Sequence, residues 1–138
     1  MSKKNNNFRK GRLIPIIIVL SLFATILIAS SLSYLYVTDT SENFQNQIDE
    51  IKKSVQTDDW AISVKNSNIL FDGWEREKPL MSILIDHRRM EMVEVLISRS
   101  RDFVKNQDKT DSLVELNQTA QQLHGISESE FPSLSNIF

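Results

Sequence analysis

The chain has 138 residues, no cysteine, and 16 Lys or Arg against 18 Asp or Glu, a formal net charge of −2. The missing cysteines exclude disulfides, thiolate catalysis, Cys-based metal sites and lipid attachment through a thiol. Five of the sixteen bases (Lys3, Lys4, Arg9, Lys10 and Arg12) lie in the first twelve positions without an acid among them. Eleven bases and eighteen acids remain, a net of about −7, which argues against nucleic acid as a partner of the rest of the chain.

From Leu13 to Val37 the chain carries no charge for about 25 residues. At roughly 1.5 Å of rise per residue, a helix of that length crosses the roughly 30 Å hydrocarbon layer of a bilayer. The basic flank should stay cytoplasmic, because short Lys/Arg-rich segments resist translocation. This gives a basic cytoplasmic stretch over 1–12, a transmembrane helix over 13–37 and an extracytoplasmic domain over 38–138, with the lipid bilayer of the cell membrane as first partner. A cleaved signal peptide is the alternative, with Ala29-Ser30-Ser31 as the cleavage site, but its apolar region would be about 7–15 residues long. Pro15 falls in the first turn of the span, where its missing N–H costs little. Tyr34 and Tyr36 suit an aromatic belt at the outer interface. Ser21, Thr25, Ala29 and Ser33 recur every four residues, a small face on which a second span could pack closely. The competing reading is that these hydroxyls bond the carbonyls of their own helix.

Beyond the span the pattern is helical throughout, predicting an all-α fold in which one N-terminal transmembrane helix is followed by an antiparallel bundle of about four helices. Phe44, Ile48, Ile51 and Val55 form the apolar stripe of a first helix over Ser41–Gln56. Thr57-Asp58-Asp59 supplies a turn and N-cap oxygens for a second, which carries Trp60, Val64, Phe71 and Trp74 inward. Asp72-Gly73 weakens its end, Glu75 to Lys78 reads as a polar connection, and Pro79 is placed to open a third. That third helix, over Pro79–Lys105, is the longest and most apolar, with Leu80, Ile83, Leu84, Met90, Val93, Leu96, Ile97, Phe103 and Val104. Asp108 caps a fourth with Leu113, Leu116, Ala120 and Leu123 inward, stopped at Gly125 as a C′ residue. Leu134, Ile137 and Phe138 are expected to fold back on the bundle; a free tail that binds another protein is the alternative.

Val55–Val64 can be laid over Val104–Leu113, an Asp-bearing turn leading into a helix each time. The two hairpins this implies would close into a four-helix bundle. The basic start, the single span, Asp59-Trp60 opening the second helix, Trp74, the Leu-Ile-Asp-His stretch Leu84–His87 and the ending Ser133–Phe138 together resemble domain of unknown function 4363, a family of small single-span bacterial membrane proteins. The family has no established activity, catalytic residue or cofactor to carry over. Its genes often lie near those of multi-span membrane proteins, so the resemblance implies a membrane partner. Arg88-Arg89 follows His87 where the family pattern implies an acidic residue.

Few residues could carry chemistry. On a helix running from Pro79, Asp86 shares a stripe with Ile83, Met90 and Val93 while His87 follows Leu80 and Leu84, which predicts a partly buried polar site at Asp86 and His87. His87, Glu91 and Glu94 share one face, a spacing open to a metal or proton relay. A buried, hydrogen-bonded His or Asp is the commoner use of such residues. His124 before Gly125 suits the negative end of a helix. Trp60 and Trp74 could clamp a glycan or peptide but read first as core. Arg88, Arg89, Arg99, Arg101 and Lys105 make a basic stretch, read first as a solvated face and second as a contact for anionic lipid heads or an acidic partner.

No phosphate loop, nucleophile elbow or catalytic triad is present. The sequence therefore predicts no enzyme and no cofactor. It predicts an accessory or interaction subunit whose partner is a multi-span membrane protein or a second copy, met through Ser21, Thr25, Ala29 and Ser33. The alternative is a ligand-sensing ectodomain; with about twelve residues inside, its signal would pass through another protein.

Overall fold

Four α-helices account for all regular structure among the described residues: α1 (Asn6–Gln56), α2 (Trp60–Leu84), α3 (His87–Lys105) and α4 (Lys109–Ser129). The computed structural model describes the backbone of residues 6–129 and the side chains of residues 14–128. The bases near the start, and the terminal Leu134, Ile137 and Phe138 expected on the bundle, lie outside the residues whose side chains are described. The chain divides into two compact units between Ser33 and Tyr34. In the first, every side chain from Ile14 to Leu32 is exposed.

The second unit is an antiparallel four-helix bundle. Phe44 of α1 meets Trp74 of α2 edge to face at 5.6 Å, and Ser63 Oγ of α2 donates to Ser54 Oγ of α1 at 2.8 Å. Near the start of the unit, Tyr36 Oη donates to Glu77 Oε2 at 2.5 Å. Thus α2 runs back toward the end at which the chain enters. Lys78 Nζ meets Glu94 Oε1 at 2.6 Å between α2 and α3, and Arg99 Nη2 meets Glu115 Oε1 at 2.5 Å between α3 and α4. The expected stripe of Phe44, Ile48, Ile51 and Val55 is buried, together with Leu70, Trp74, Met81, Val93, Ile97, Val104, Leu116 and Leu123. Small hydroxyl residues let the backbones of α3 and α4 approach, and Ser100 Oγ and Thr119 Oγ1 share a buried hydrogen bond of 3.1 Å.

The two turns at the far end share one geometry. Asp58 and Gln107 adopt positive φ of 59° and 57°. At the first turn Asp59 N–H bonds Ser54 O and Asp58 N–H bonds Val55 O; at the second Asp108 N–H bonds Phe103 O and Gln107 N–H bonds Val104 O. Each is a Schellman closure followed at once by an Asp N-cap: Asp59 accepts from Ile62 N and Asp108 from Asp111 N. The internal similarity of the sequence is therefore a repeated turn. Lys109 Nζ ties the two together through Gln56 O at 2.8 Å and Asp58 Oδ1 at 3.0 Å. Since a left-handed backbone strains any residue with a Cβ, Gln107→Gly is expected to stabilise the bundle by about 0.5–1 kcal/mol, read as a higher midpoint of thermal unfolding.

Three expected helix boundaries differ. The helix expected to begin at Ser41 is the continuation of α1. Neither Gly nor Pro interrupts Thr38–Ser41, Thr40 and Ser41 are buried, and nothing compensates for breaking helical hydrogen bonds there. Val37, the end of the uncharged run, is 1% exposed and part of the bundle core. The connection expected at Glu75–Lys78 lies inside α2, with Pro79 in the helix. Met81 and Ile85 are buried two and six residues beyond it, so ending the helix at the proline would forfeit their packing. The turn comes instead at extended Ile85, where Asp86 caps α3 by accepting from Arg88 N at 3.0 Å. Gly125 does not end α4, which continues to Ser129. Gly73, inside α2, has a packing reason: a Cβ there would lie 3.3 Å from Phe44 Cε1.

Candidate functional site

The exposed stretch of α1 from Ile14 to Leu32 is one candidate surface. Its twelve large apolar residues are each 52–64% exposed. Three of its four hydroxyls are used within the helix: Ser21 Oγ donates to Ile18 O, Thr25 Oγ1 to Ser21 O and Ser31 Oγ to Leu27 O, each at 2.9 Å. The Ser21, Thr25, Ala29 and Ser33 face thus offers small size for close packing, while the hydroxyl protons of Ser21 and Thr25 are already spent locally.

The second candidate is a groove of about 640 Å³ in the bundle unit, lined by Tyr34, Thr38, Glu42 and Gln45 of α1 and His124, Ser127 and Glu128 of α4. The α1 residues follow at intervals of four, four and three on the side of the helix away from Tyr36 and Ser54. Because α4 continues past Gly125, His124 is not the C-terminal cap the sequence predicts. Its Nε2 lies 3.2 Å from Glu128 Oε1, one helical turn on. Thr38 Oγ1 is buried without a hydrogen-bond partner. Two carboxylates, an imidazole and a phenol along one groove suit a positively charged group. The sequence signal for this groove is the polar row Thr38, Glu42 and Gln45, at i, i+4 and i+7 beside the Phe44 stripe.

The polar site expected at Asp86 and His87 is not buried. Asp86 is the exposed N-cap of α3, and the His87 side chain is 82% exposed, with Nε2 3.1 Å from Glu91 Oε1. The stripe that placed them inward assumed a helix running from Pro79; the turn at Ile85 resets the helical phase. Glu94 turns to Lys78, and the hydrogen bond it accepts raises the lysine's pKa above its ordinary 10.5 against a smaller opposing effect of burial. Among the described residues no three His, Asp or Glu side chains converge in an arrangement that could hold a metal ion.

The remaining candidates are structural. Trp74 is fully buried and Trp60 packs against the core, so they form no open clamp. Arg99 pairs with Glu115, whose side chain is only 6% exposed, and the Arg101 guanidinium lies 3.6 Å from the centroid of the Phe71 ring. Arg89 Nη1 donates to Gly125 O at 3.5 Å. Much of the expected basic stretch thus joins helices to one another.

In comparison with known proteins, the model of a family described as "Domain of unknown function (DUF4363)" matches residues 31–137. The match begins within three residues of the boundary between the two compact units and so covers the bundle. No curated protein and no solved structure matches the chain.

Proposed function

We propose, for a chain that belongs to the DUF4363 family, a single-span membrane protein with its basic N-terminal stretch in the cytoplasm, α1 crossing the cell membrane, and the bundle on the extracytoplasmic side. In this reading it is a non-catalytic accessory subunit whose partner is a multi-span membrane protein or a second copy. The observation that carries the proposal is the exposed apolar surface from Ile14 to Leu32. Burying twelve such side chains is worth roughly 20 kcal/mol or more. That exceeds the about 5–15 kcal/mol by which a domain is stable, so the surface must be covered, and a hydrocarbon layer covers all sides of a helix at once. The bases ahead of it set the direction of insertion.

The natural lack of cysteine makes the test direct. In intact cells a membrane-impermeant maleimide should label Asn106→Cys, at the far turn of the bundle, and should label Lys4→Cys only after lysis; the reverse pattern would overturn the orientation. In the same cells Thr25→Leu with Ala29→Leu should abolish the cross-linked product of the full-length protein with its partner, because bulk on the small face holds helices apart. Unchanged cross-linking would remove this face from the proposal.

The groove favours a second reading, a ligand-sensing ectodomain. A small primary amine should then raise the midpoint of thermal unfolding of the full-length protein, and Glu42→Gln should abolish the shift. No shift over a series of amines of increasing size would dispose of it.

A further inference from the structure

The α2–α3 corner presents features that the bundle itself does not use. Ile83, in the last turn of α2, is 78% exposed, more than any other large apolar residue described, and Leu80, one turn earlier on the same side, is 47% exposed. Five residues on from Ile83, in the first turn of α3, Arg88 is exposed and its guanidinium has no ion pair or hydrogen bond among the described residues. A single exposed isoleucine is ordinary on a protein surface. What distinguishes this one is its position in the bundle.

Tyr36 bonds Glu77, so the last turns of α2 lie at the end where the chain enters the unit. Ile83 follows Glu77 by six residues, about 9 Å farther along the helix in that direction. Leu32, the last residue of the exposed apolar surface, precedes Tyr36 by only four residues. Whatever direction the chain takes between them, four residues reach at most about 14 Å. If Leu32 is in the bilayer, the corner bearing Ile83 and Arg88 belongs to the end of the bundle at which the chain leaves it. At the level of the lipid head groups an isoleucine can bury its side chain among acyl carbons while an arginine bonds lipid phosphate.

We propose that the α2–α3 corner is a lipid-docking surface that seats the bundle on the bilayer, with Ile83 and Leu80 entering the interface and Arg88 bonded to lipid phosphate. This rests on the reading of α1 as a membrane span and extends it, because an anchor alone leaves the bundle free to stand away from the surface. The contact belongs to the lipid and not to a partner protein, and a reconstituted system of protein and lipid alone should reproduce it.

The test uses the full-length protein in proteoliposomes, with one environment-sensitive fluorophore on Ile83→Cys, Leu20→Cys or Asn106→Cys and a lipid spin-labelled near its head group as quencher. Ile83→Cys should lose fluorescence as the quencher is added and Asn106→Cys, at the opposite end, should not. Arg88→Gln should reduce the loss at Ile83→Cys in vesicles containing phosphatidylglycerol. Quenching at Leu20→Cys without quenching at Ile83→Cys would overturn the docking surface and leave the anchor standing. An unquenched Leu20→Cys would overturn the anchor and the docking surface with it. Quenching at Ile83→Cys that Arg88→Gln leaves unchanged would remove the arginine from the surface.

Discussion

Exchanging Leu22 and Ile26 for aspartate is expected to move the protein from the carbonate-resistant membrane fraction to the soluble or aggregated fraction. On the insertion scale each Asp near the middle of a span costs about 2.5–3.5 kcal/mol, and each lost Leu or Ile forfeits about 0.5 kcal/mol more, for a total of about 6–8 kcal/mol. The favourable side is of the same size: twelve large apolar residues at about 0.5 kcal/mol each contribute about 6 kcal/mol. Two substitutions should therefore cancel the drive to insert. The same change of charge on the exposed surface of the bundle, Asn43→Asp with Asn46→Asp, should leave the fractionation unaltered. A double aspartate variant that still resists carbonate would mean that another surface holds the protein to the membrane.

Trp74→Ala should be the most damaging single substitution in the bundle. The indole is fully buried, stacked edge to face on Phe44, at the junction of α1 and α2. Truncating a buried Trp costs about 3–5 kcal/mol through lost transfer energy and the cavity left behind. For a domain of this size that lowers the unfolding midpoint by about 12 °C or more, read by circular dichroism of the full-length protein in detergent. Trp74→Phe should cost much less. The indole Nε1 is buried without a partner, so the ring N–H already carries a desolvation penalty that phenylalanine removes. Equal losses for the two variants would show that the indole N–H has a partner in the folded protein.

The groove and the docking corner differ in how far the sequence reveals them. Glu42 and Gln45 are legible as a polar side of α1, but His124 and Glu128 are about eighty positions away and join them only because α1 and α4 are neighbours in the bundle. Ile83 looks like core in the sequence, since apolar residues surround it and a helix begun at Pro79 would turn it inward. The observed helix runs through the proline, and Ile83 then falls on the outer side of its last turn.

Whatever depends on neighbours within a turn or two was determined by the sequence alone. The charge-free run and its basic flank are one-dimensional facts. The apolar stripe of Phe44, Ile48, Ile51 and Val55 follows from helical periodicity, and Asp59 and Asp108 cap helices because a carboxylate beside unpaired N–H groups acts locally. The tertiary structure decided between local signals of similar strength. Gly73, Pro79, Asp86 and Gly125 each mark a boundary worth about 1–3 kcal/mol, and only Asp86 marks a real one. Burial of Met81, Ile85 and Ile126 in the core outweighs the stops at Pro79 and Gly125. The position of the α2–α3 turn then fixes the helical phase, and with it which side chains remain outside.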